Sequence, residues 1–393
     1  MQMQTIHLSE VITDIAAGPF GSNLKVSCFV DDGFPIIDGA NLKGMKVTDN
    51  ITKYVTEEKA RSLHRSIAKR NDVVVTISGT LGQIAYIPFD SKYEEYLCSQ
   101  RQFRVSFDTT KVYVPYLVFY FHTYEGQNKI LSFANQVGVP ALSQPLKNFR
   151  QIEISIPMLE EQKKIASIIE SINGKIERNT AINDNLEQQA RALYQRMFID
   201  NPVSGGYMGT LSDIADITMG QSPNGSSYNE DGNGAVFFQG RAEFGFRFPS
   251  VRLYTTEPKR MACANDTLMS VRAPVGDLNV AYTDCCIGRG LAAIHSKSNQ
   301  QSFVLYTMFS LHKQLDVFNG EGTVFGSINR TALTELPIFI PSDREIVKFE
   351  AIVAPIDAAI RNNYEEICRL EKIRDALLPK LMSGELDVST VEF

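Results

Sequence analysis

The chain has 393 residues, of which 44% are hydrophobic and 21% are charged, and its formal net charge at pH 7 is −6. This length exceeds that of one ordinary domain and suits two domains with connecting elements. The acidic balance argues weakly against a generic nucleic-acid-binding protein, and no run approaches the roughly 20 apolar residues that predict a membrane-spanning helix.

The N-terminal residues have neither the basic nor the apolar region of a signal peptide. The six cysteines show no CxxC spacing, and no histidine lies near them at the spacing of a zinc site. We therefore expect reduced thiols, no metal site and a cytoplasmic location.

The first globular block, residues 1–157, has the pattern of a mixed α/β (α+β) domain. Runs of β-branched residues at 73–77 and 152–156 indicate strands, whereas the segments 57–68 and 114–131 indicate helices. The order of the strands does not follow from this pattern.

A long helix is predicted in residues 158–200. From Glu160 to about Ile199, apolar residues recur in steps of three and four, which is the pattern of a coiled coil. Forty helical residues would be about 60 Å long. The seam that we expect to be buried comprises Ile169, Ile172, Ile176, Asn179, Leu186 and Leu193.

The second globular block, residues 201–341, repeats the first in approximate form. Its segment Ile287–His295 aligns with Ser99–Phe107, which places Arg289 opposite Arg101. Such self-similarity predicts a duplicated architecture.

A second long helix is predicted in residues 342–393. Ile340-Pro341 precedes it as Ile156-Pro157 precedes the first helix, 340 − 156 = 184 residues earlier. Pro355 lacks a backbone donor, so we expect this helix to kink or to begin late. Its predicted seam comprises Val353, Ile356, Ile360, Asn363, Leu370 and Leu377. The fold class is thus a duplicated α/β (α+β) protein with the order block–helix–block–helix.

No motif predicts catalysis. Gly288–Ala293 matches the GxGxxA pattern, but a strand rather than a helix is expected to follow it, which argues against a dinucleotide site. Glu57-Glu58-Lys59 lies in a charged helical stretch, where a solvated helix face is a better interpretation than a nuclease site. The five histidines form no metal-ligand spacing, and no P-loop occurs.

If the two blocks bind DNA, lysine and arginine should contact phosphates, and arginine, glutamine and asparagine should read base edges. The candidates in the first block are Ser22, Lys25, Lys43, Lys46, Arg101, Arg104 and Gln136. The candidates in the second block are Gln221, Asn224, Gln239, Arg241, Arg247, Arg252, Arg272, Arg289 and Arg330.

Several segments together point to one family. They are Ile156-Pro157 with Glu161–Ala166, the turns Gly18–Ser22 and Gly138–Ser143, and the C-terminal segment Leu377–Val388. With their order and their duplication, the chain resembles the specificity subunits of type I restriction-modification systems over essentially its whole length.

The resemblance implies two target-recognition domains separated by two long helices that pack antiparallel, with a pseudo-twofold axis. Each domain would read one half of a split site in double-stranded DNA, and the helices would set the spacer. It also implies a complex with two methyltransferase subunits and two translocase-nuclease restriction subunits. S-adenosylmethionine, ATP and magnesium would bind those partners, with no cofactor, catalytic residue or metal in this chain.

Other interpretations stay open. The chain could serve a related modification system, or be a silent phase-variable variant. A coiled-coil scaffold that binds only proteins is a different class, and its partner binding would be insensitive to salt, whereas a protein that contacts DNA phosphates loses affinity steeply as salt rises. A nuclease that uses the carboxylates at 57 and 58 is the enzymatic alternative.

Overall fold

The structure is a computed structural model that describes residues 2–135, 139–200, 205–320 and 326–389. The chain folds as two compact units. The first comprises Met1–Glu177 and Ile367–Phe393, and the second comprises Arg178–Glu366. Each unit therefore contains one globular block and one half of each long helix.

The first unit contains thirteen of the strands in the described residues and four short helices, and the long helix α5 (Leu159–Tyr194) begins in it. The strands are β1 Gln4–His7, β2 Ile12–Ala17, β3 Phe29–Val30, β4 Phe34–Ile37, β5 Tyr54–Val55, β6 Ile67–Lys69, β7 Val73–Thr76, β8 Ile84–Tyr86, β9 Glu95–Cys98, β10 Gln102–Phe107, β11 Ala134–Asn135, β12 Ala141–Leu142 and β13 Glu153–Ile156. The short helices are α1 Glu57–Ser62, α2 Val114–Phe121, α3 Tyr124–Leu131 and α4 Pro145–Arg150.

These strands form a four-stranded sheet of order β2-β10-β7-β8, a five-stranded sheet of order β3-β5-β4-β9-β6 and the pairs β1-β13 and β11-β12. Every residue of α2 is buried, because its sequence VPYLVFYF is apolar on all sides. The main core therefore lies between α2, the four-stranded sheet and the ends of the long helices.

The second unit contains the remaining described strands and four short helices, and the second long helix, α10, begins in it. The strands are β14 Tyr207–Thr210, β15 Ala215–Met219, β16 Tyr228–Asn229, β17 Ala235–Phe238, β18 Leu253–Thr255, β19 Met261–Ala262, β20 Thr267–Ser270, β21 Leu278–Val280, β22 Cys285–Ile287, β23 Leu291–Ser296 and β24 Pro337–Ile340. The helices are α6 Leu211–Ile214, α7 Gln301–Ser310, α8 His312–Asp316, α9 Arg330–Thr334 and α10 Asp343–Ser383.

Three sheets of the first unit recur in the second with the same topology, whereas the pair β11-β12 has no counterpart among the described strands. The orders β14-β24, β15-β23-β20-β21 and β16-β18-β17-β22-β19 in the second unit repeat those of the first strand by strand. In both five-stranded sheets the equivalent central pair, β4-β9 or β17-β22, is parallel. The predicted duplicated fold of mixed helix and sheet is confirmed, and the strand order is now known.

The predicted alignment of Arg101 with Arg289 is wrong by one residue. The Ile77 N–H donates to the carbonyl of Arg101 at 2.7 Å, and the equivalent Val271 N–H donates to the carbonyl of Gly290 at 2.9 Å. Gly290 is therefore the counterpart of Arg101, and Arg289 is the counterpart of Gln100. Hydrogen bonds between strands set this register. The presence of one arginine in each segment of the sequence does not reveal it.

Both long helices lie within the predicted segments, but α5 ends at Tyr194 rather than near Ile199, and a π-helical segment, Gln195–Asp200, follows it. Helix α5 has 36 residues and α10 has 41, which correspond to about 54 and 62 Å. Of the two outcomes expected from Pro355, a late start is wrong, because α10 begins at Asp343 and continues through Pro355. A kink at Pro355 stays a prediction. A proline removes one donor from the helix, but Phe349, Val353 and Ile360 on both sides of it are buried and hold the helix in place.

Within each unit the two long helices run antiparallel. In the first unit Arg374 donates to Asn173 at 3.4 Å, and Lys164 donates to the carbonyl of Ser389 at 3.0 Å. In the second unit Asn179 donates to Glu366 at 2.8 Å, and Asn363 donates to Asn183 at 2.9 Å.

The predicted seam residues are all shielded from solvent to some degree. Those that are buried are Ile169, Asn179, Val353 and Ile360. Those that are partly buried are Ile172, Ile176, Leu186, Leu193, Ile356, Asn363, Leu370 and Leu377. Over the ranges that the structure describes, no helix is both long enough and apolar enough to cross a membrane.

Candidate nucleic-acid interface

Each unit has a concavity where three equivalent segments meet: the loop after β4 or β17, the end of β7 or β20, and the turn between β9 and β10 or between β22 and β23. The first concavity has a volume of about 600 Å³. Its lining includes Asp38, Gly39, Lys53, Thr76, Ser78, Thr80, Gln83, Ser99, Gln100, Arg101 and Gln102. The second concavity has a volume of about 250 Å³. Its lining comprises Ser222, Gln239, Gly240, Arg241, Ser270, Arg272, Ala273, Arg289 and Gly290.

Amide and hydroxyl groups line the first concavity beside apolar side chains, which include Leu24, Val26, Phe29 and Ile36. The Gln83 side chain accepts from the Thr76 hydroxyl at 3.0 Å and donates to the Gly39 carbonyl at 3.0 Å, which fixes its amide plane. Gln100 and Thr80 are exposed at the edge. A fixed amide presents a donor and an acceptor in one plane, which suits contact with a planar group that carries both.

One ion pair lies in the first concavity. The Lys53 ammonium contacts Asp38 at 2.6 Å. Burial raises the pKa of Asp38, but the hydrogen bonds from Lys53 and from the Ala40 N–H together lower it by more. The pKa of Asp38 therefore lies below its ordinary value. Asp38 is therefore ionised near neutral pH and largely neutralises the lysine.

The second concavity is rich in arginine. Arg241 pairs with Asp277 at 2.6 Å. Arg272 and Arg289 are exposed, and among the described residues neither has a carboxylate within 4.0 Å. Two unpaired guanidinium groups beside the amide of Gln239 form a surface suited to phosphate and to guanine edges, because arginine donates bidentately to both.

Glycines allow the neighbouring loops to approach these turns closely. The N–H of Gly18 donates to Gln102 at 2.7 Å, and the N–H of the equivalent Gly220 donates to Leu291 at 2.9 Å. A Cβ on Gly18 would lie 1.8 Å from the Ser99 oxygen, and one on Gly220 would lie 2.2 Å from the Gly288 oxygen. The loops that follow are thereby placed at the edges of the concavities.

Several residues predicted from the sequence are gathered at these edges. In the second unit Gln239, Arg241, Arg272 and Arg289 line one concavity, and the exposed Gln221 and Asn224 lie in the adjoining loop. In the first unit Arg101 lines the concavity. The exposed Ser22 and Lys25 lie in the loop after Gly18, with the tip residue Phe20 82% exposed.

Other candidates lie elsewhere. Lys43 and Lys46 line a different cavity of about 360 Å³, and Lys46 pairs with Glu177 of α5 at 3.1 Å. Arg330 is exposed at the start of α9 and is not among the residues that line the second concavity. Arg252 pairs with Glu243 at 3.1 Å. Gln136 and the glycine at 138 lie outside the described residues.

The structure corrects the prediction for Arg104, which is only 8% exposed. It lies on the central strand β10, pairs with Asp14 at 2.6 Å and donates to the Arg65 carbonyl at 3.0 Å. The hydrogen bond and charge of Arg104 lower the pKa of Asp14 below its ordinary value. Its guanidinium is thus used inside the fold and does not face DNA.

Arg247 is also wrongly predicted as a DNA contact, since it is 4% exposed. Its guanidinium pairs with Glu187 of α5 at 3.2 Å, with Asp357 of α10, and with the Tyr306 hydroxyl at 3.0 Å. A loop arginine in the sequence gives no indication of such partners, because they lie on helices far along the chain. Arg247 anchors the globular block of the second unit to the helices.

The sequence did not identify several lining residues. They are Lys53, Thr76, Ser78, Thr80, Gln83, Ser99, Gln100, Ser222 and Ser270. Gln100 was missed because the alignment was displaced by one residue, which hid its equivalence to Arg289. The recurrent glycine turns at the ends of equivalent strands were the feature that could have located both concavities.

The two motifs that resemble catalytic ones have local structural roles. Gly288–Ala293 is the turn after β22 and the start of β23, so a strand follows it as expected. Glu57 lies in α1 and pairs with Arg61 of the same helix at 2.8 Å. Both motifs are accounted for by local structure.

Comparison with known proteins shows one family. Residues 22–188 match the family model described as the type I restriction modification DNA specificity domain. The putative type I restriction enzyme MjaX specificity subunit of Methanocaldococcus jannaschii is 31% identical over 296 residues, which cover 70% of this chain and 69% of that protein. The MjaIX specificity subunit of the same organism is 24% identical over 369 residues, covering 85% and 82%.

A solved structure has the same fold. The crystal structure of a type I restriction-modification system S subunit from M. genitalium aligns with a TM-score of 0.62 at 14% identity. The alignment covers 97% of this chain and 96% of that chain. At this identity the likeness concerns the fold alone.

Proposed function

This chain belongs to the family of type I restriction-modification specificity subunits, whose role is DNA sequence recognition, and we propose that its two concavities each read one half of a bipartite DNA site. The observation that carries this proposal is the duplication itself. Two units with one topology place two concavities at equivalent strand ends, and the side chains that line them differ.

The second concavity would select guanine. Arginine contacts the O6 and N7 atoms of guanine bidentately, and each good pair contributes roughly 1–3 kcal/mol of discrimination. Arg272 and Arg289 are the candidates, because both are exposed and free of carboxylate partners in the described part of the chain. Arg241, held by Asp277, would contact the DNA backbone.

The first concavity would select adenine. Glutamine pairs bidentately with the N6 and N7 atoms of adenine. Gln100 is exposed at the position equivalent to Arg289, and Gln83 has an amide plane fixed by Thr76 and Gly39. Lys25 and Arg101, near the same concavity, would contact phosphates.

The long helices would set the number of unread base pairs between the half-sites. If this is so, deleting one heptad from each helix removes about 10 Å, or about three base pairs at ~3.4 Å each. We expect the spacer in the methylated motif to shorten while both half-sites stay the same. Altered half-sites with an unchanged spacer would contradict the proposal.

The partners are those of a type I complex: two methyltransferase subunits and two restriction subunits that supply translocation and cleavage. S-adenosylmethionine, ATP and magnesium would bind those subunits, and this chain would be non-catalytic. The apolar residues that α5 and α10 leave exposed suit docking of the methyltransferase subunits. They include Ile182, Val347, Ile352 and Ile373. The complex would act in the cytoplasm, where the DNA lies.

The test is single-molecule sequencing of adenine methylation in a host that expresses this chain with its cognate methyltransferase, against a host from which this chain alone is deleted. A bipartite motif that disappears on deletion supports the proposal. Methylation that is the same in both hosts contradicts it.

A protein-only scaffold is the competing function, since coiled-coil helices also serve that role. The two differ in salt dependence: an assembled complex that contacts phosphates should lose about 10³-fold or more in DNA affinity between 50 and 200 mM salt. Partner binding without any DNA affinity would favour the scaffold.

A further inference from the structure

The second unit brings together three side chains that could hold a metal ion. One ligand atom each from Cys263, Asp266 and His295 lies within 4.8 Å of the other two. Asp266 is buried, whereas Cys263 and His295 are exposed, so an ion could enter from solvent. The linear spacing of these residues does not indicate a metal site, because His295 comes from the distant strand β23.

The first unit has an equivalent aspartate, Asp72, with Lys69 and Ser106 in place of the cysteine and the histidine. There the Lys69 N–H donates to Asp72 at 2.8 Å, and the Ser106 hydroxyl donates to Asp72 at 2.5 Å. In the second unit the Cys263 N–H donates to Asp266 at 2.8 Å, and the ring of His295 contacts Asp266 at 2.6 Å. The aspartate has the same structural role in both units.

The neighbours of the aspartate are what differ. A thiol takes the place of Lys69, and an imidazole takes the place of the Ser106 hydroxyl. Neither change is needed for the turn, since Lys69, Asp72 and Ser106 form the same hydrogen bonds. Thiolate and imidazole are the ligands that zinc prefers in proteins, and carboxylate is a common third ligand.

The charge around the two aspartates also differs. In the first unit Arg104 donates to Ser106 at 3.4 Å, and its charge partly offsets the effect of burial, which raises the pKa of Asp72. Strand pairing places Ala293 of the second unit at the position of Arg104. Within the described ranges, Asp266 has no lysine or arginine partner. A bound cation would supply the positive charge that Arg104 supplies in the first unit.

We propose that Cys263, Asp266 and His295 bind one divalent zinc-like ion in the second unit. Tetrahedral bonds of about 2.0–2.3 Å place ligand atoms about 3.5 Å apart, and the three ligand atoms here lie within 4.8 Å of one another. Three protein ligands leave the fourth position to water.

The ion would tie two elements together. Asp266 directly precedes β20, and His295 lies on β23, its neighbour in the four-stranded sheet. The turn also contacts helix α10, because Arg361 donates to Asn265 at 2.8 Å. Metal binding would therefore stabilise the second unit at the point where its sheet meets this helix, and the first unit would not respond.

The experiment uses the purified full-length chain, with its affinity tag removed and its thiols kept reduced, titrated with Zn²⁺ alone and with Co²⁺ alone. We expect one equivalent of tightly bound Zn²⁺ and a thiolate-to-Co²⁺ charge-transfer band. Cys263→Ser should abolish the band, and Cys263→Ser and His295→Ala should each weaken Zn²⁺ binding by more than the roughly 10–100-fold that loss of an outer-sphere partner causes.

Cys28→Ser is the matched control, because Cys28 is a partly exposed thiol of the first unit. It should keep the stoichiometry and the band. Circular dichroism checks that each variant is folded, and Zn²⁺ should raise the melting temperature of the wild type and of Cys28→Ser but not of Cys263→Ser. A wild-type chain that shows no charge-transfer band, or a band that survives in Cys263→Ser, would overturn the proposal.

Discussion

The two concavities differ in chemistry although the backbones around them match. The first has amides such as Gln83 and Gln100 in its lining, and the second has the guanidinium groups of Arg272 and Arg289, which have no carboxylate partner in the described part of the chain. The same hydrogen bonds hold both turns, so Gln100 and Arg289 occupy one position in two units. Backbone pairing fixes where a side chain is presented, and its identity can then change without cost to the fold.

The units also differ in how they hold the long helices. The Tyr86 N–H donates to the carbonyl of Met45 at 3.1 Å, and the equivalent Val280 N–H donates to the carbonyl of Arg247 at 2.8 Å. Met45 and Arg247 therefore occupy equivalent positions in the two units. Met45 accepts from the helix residue Asn173 at 3.4 Å, whereas Arg247 forms a buried ion pair with the equivalent Asp357. One anchor is neutral and the other is ionic.

The largest effect should follow removal of the free arginines. Arg272→Ala combined with Arg289→Ala should cost about 2–6 kcal/mol of DNA binding by the assembled complex, since each bidentate contact contributes about 1–3 kcal/mol. Fluorescence anisotropy on a duplex that carries the methylated motif measures this loss. Arg344→Ala is the control, because that arginine is exposed at the start of α10 and does not line the concavity. An equal loss of DNA affinity in the control would show that the two lining arginines have no special role.

The ionic contact of Arg247 with the long helices should contribute measurably to the stability of the second unit. Arg247→Met should lower the free energy of unfolding by about 3–5 kcal/mol, because Glu187 and Asp357 lose their buried partner. Adding Glu187→Gln and Asp357→Asn should recover most of the loss, since the site then resembles the neutral anchor at Met45. Chemical denaturation measures both steps. A triple variant as unstable as the single one would show that packing, rather than charge, holds this anchor.

A single exchange in the first concavity should have a smaller effect. Gln100→Arg gives the first unit the side chain that the second has at this position. We expect a change of about 1–3 kcal/mol in discrimination at one base pair of the first half-site. Competition binding with duplexes that vary one base pair at a time measures it, and a uniform loss across all sequences would indicate a phosphate contact instead.

The smallest expected effect is the loss of the stabilisation by Asp14 at acid pH. Because the folded-state pKa of Asp14 is depressed, its stabilisation is present above the unfolded-state value and is lost as pH falls through the folded-state value. The Asp14 side chain is 59% exposed, so Asp14→Asn should cost less than about 1 kcal/mol at pH 7. Unfolding measured between pH 5 and pH 2 should show that difference vanish.

Asp216→Asn in the second unit is the matched control for this pH dependence. Strand pairing places Asp216 opposite His295, as it places Asp14 opposite Ser106, but Ala293 lies where Arg104 lies in the first unit. The ion pair of Asp216 is instead with the exposed Lys297, at the longer distance of 3.9 Å. A pH-dependent cost as large for Asp216 as for Asp14 would show that Arg104 is not its cause.

The sequence predicted the local and repetitive features of this fold well. Heptad spacing identified both long helices, and the recurrence of Ile-Pro located the duplication, because both patterns depend on neighbouring residues. Strand order was beyond reach, since it depends on pairing between distant segments, as for β2 beside β10. The delay expected from Pro355 failed because burial of the flanking helix outweighs one lost hydrogen bond.

The candidate site was predicted only in part, for the same physical reason. Arg272 and Arg289 line the second concavity, and among the described residues neither has a carboxylate partner. Their contact with DNA stays a prediction. Arg104 and Arg247 were misassigned because an ion partner on a distant element cannot be read from an arginine's own neighbours. Residue type indicates what a side chain can do, and the fold decides whether it is free to do it.

The central claim is that each concavity reads its own half-site. The most direct test is single-molecule methylation sequencing of the reciprocal variants Gln100→Arg and Arg289→Gln, beside the wild type, in hosts that carry the cognate methyltransferase. We predict that each variant changes the recognised bases in one half-site, that the two variants change different halves, and that the spacer stays constant. Two variants that alter the same half, or that leave both halves as in the wild type, would contradict the account.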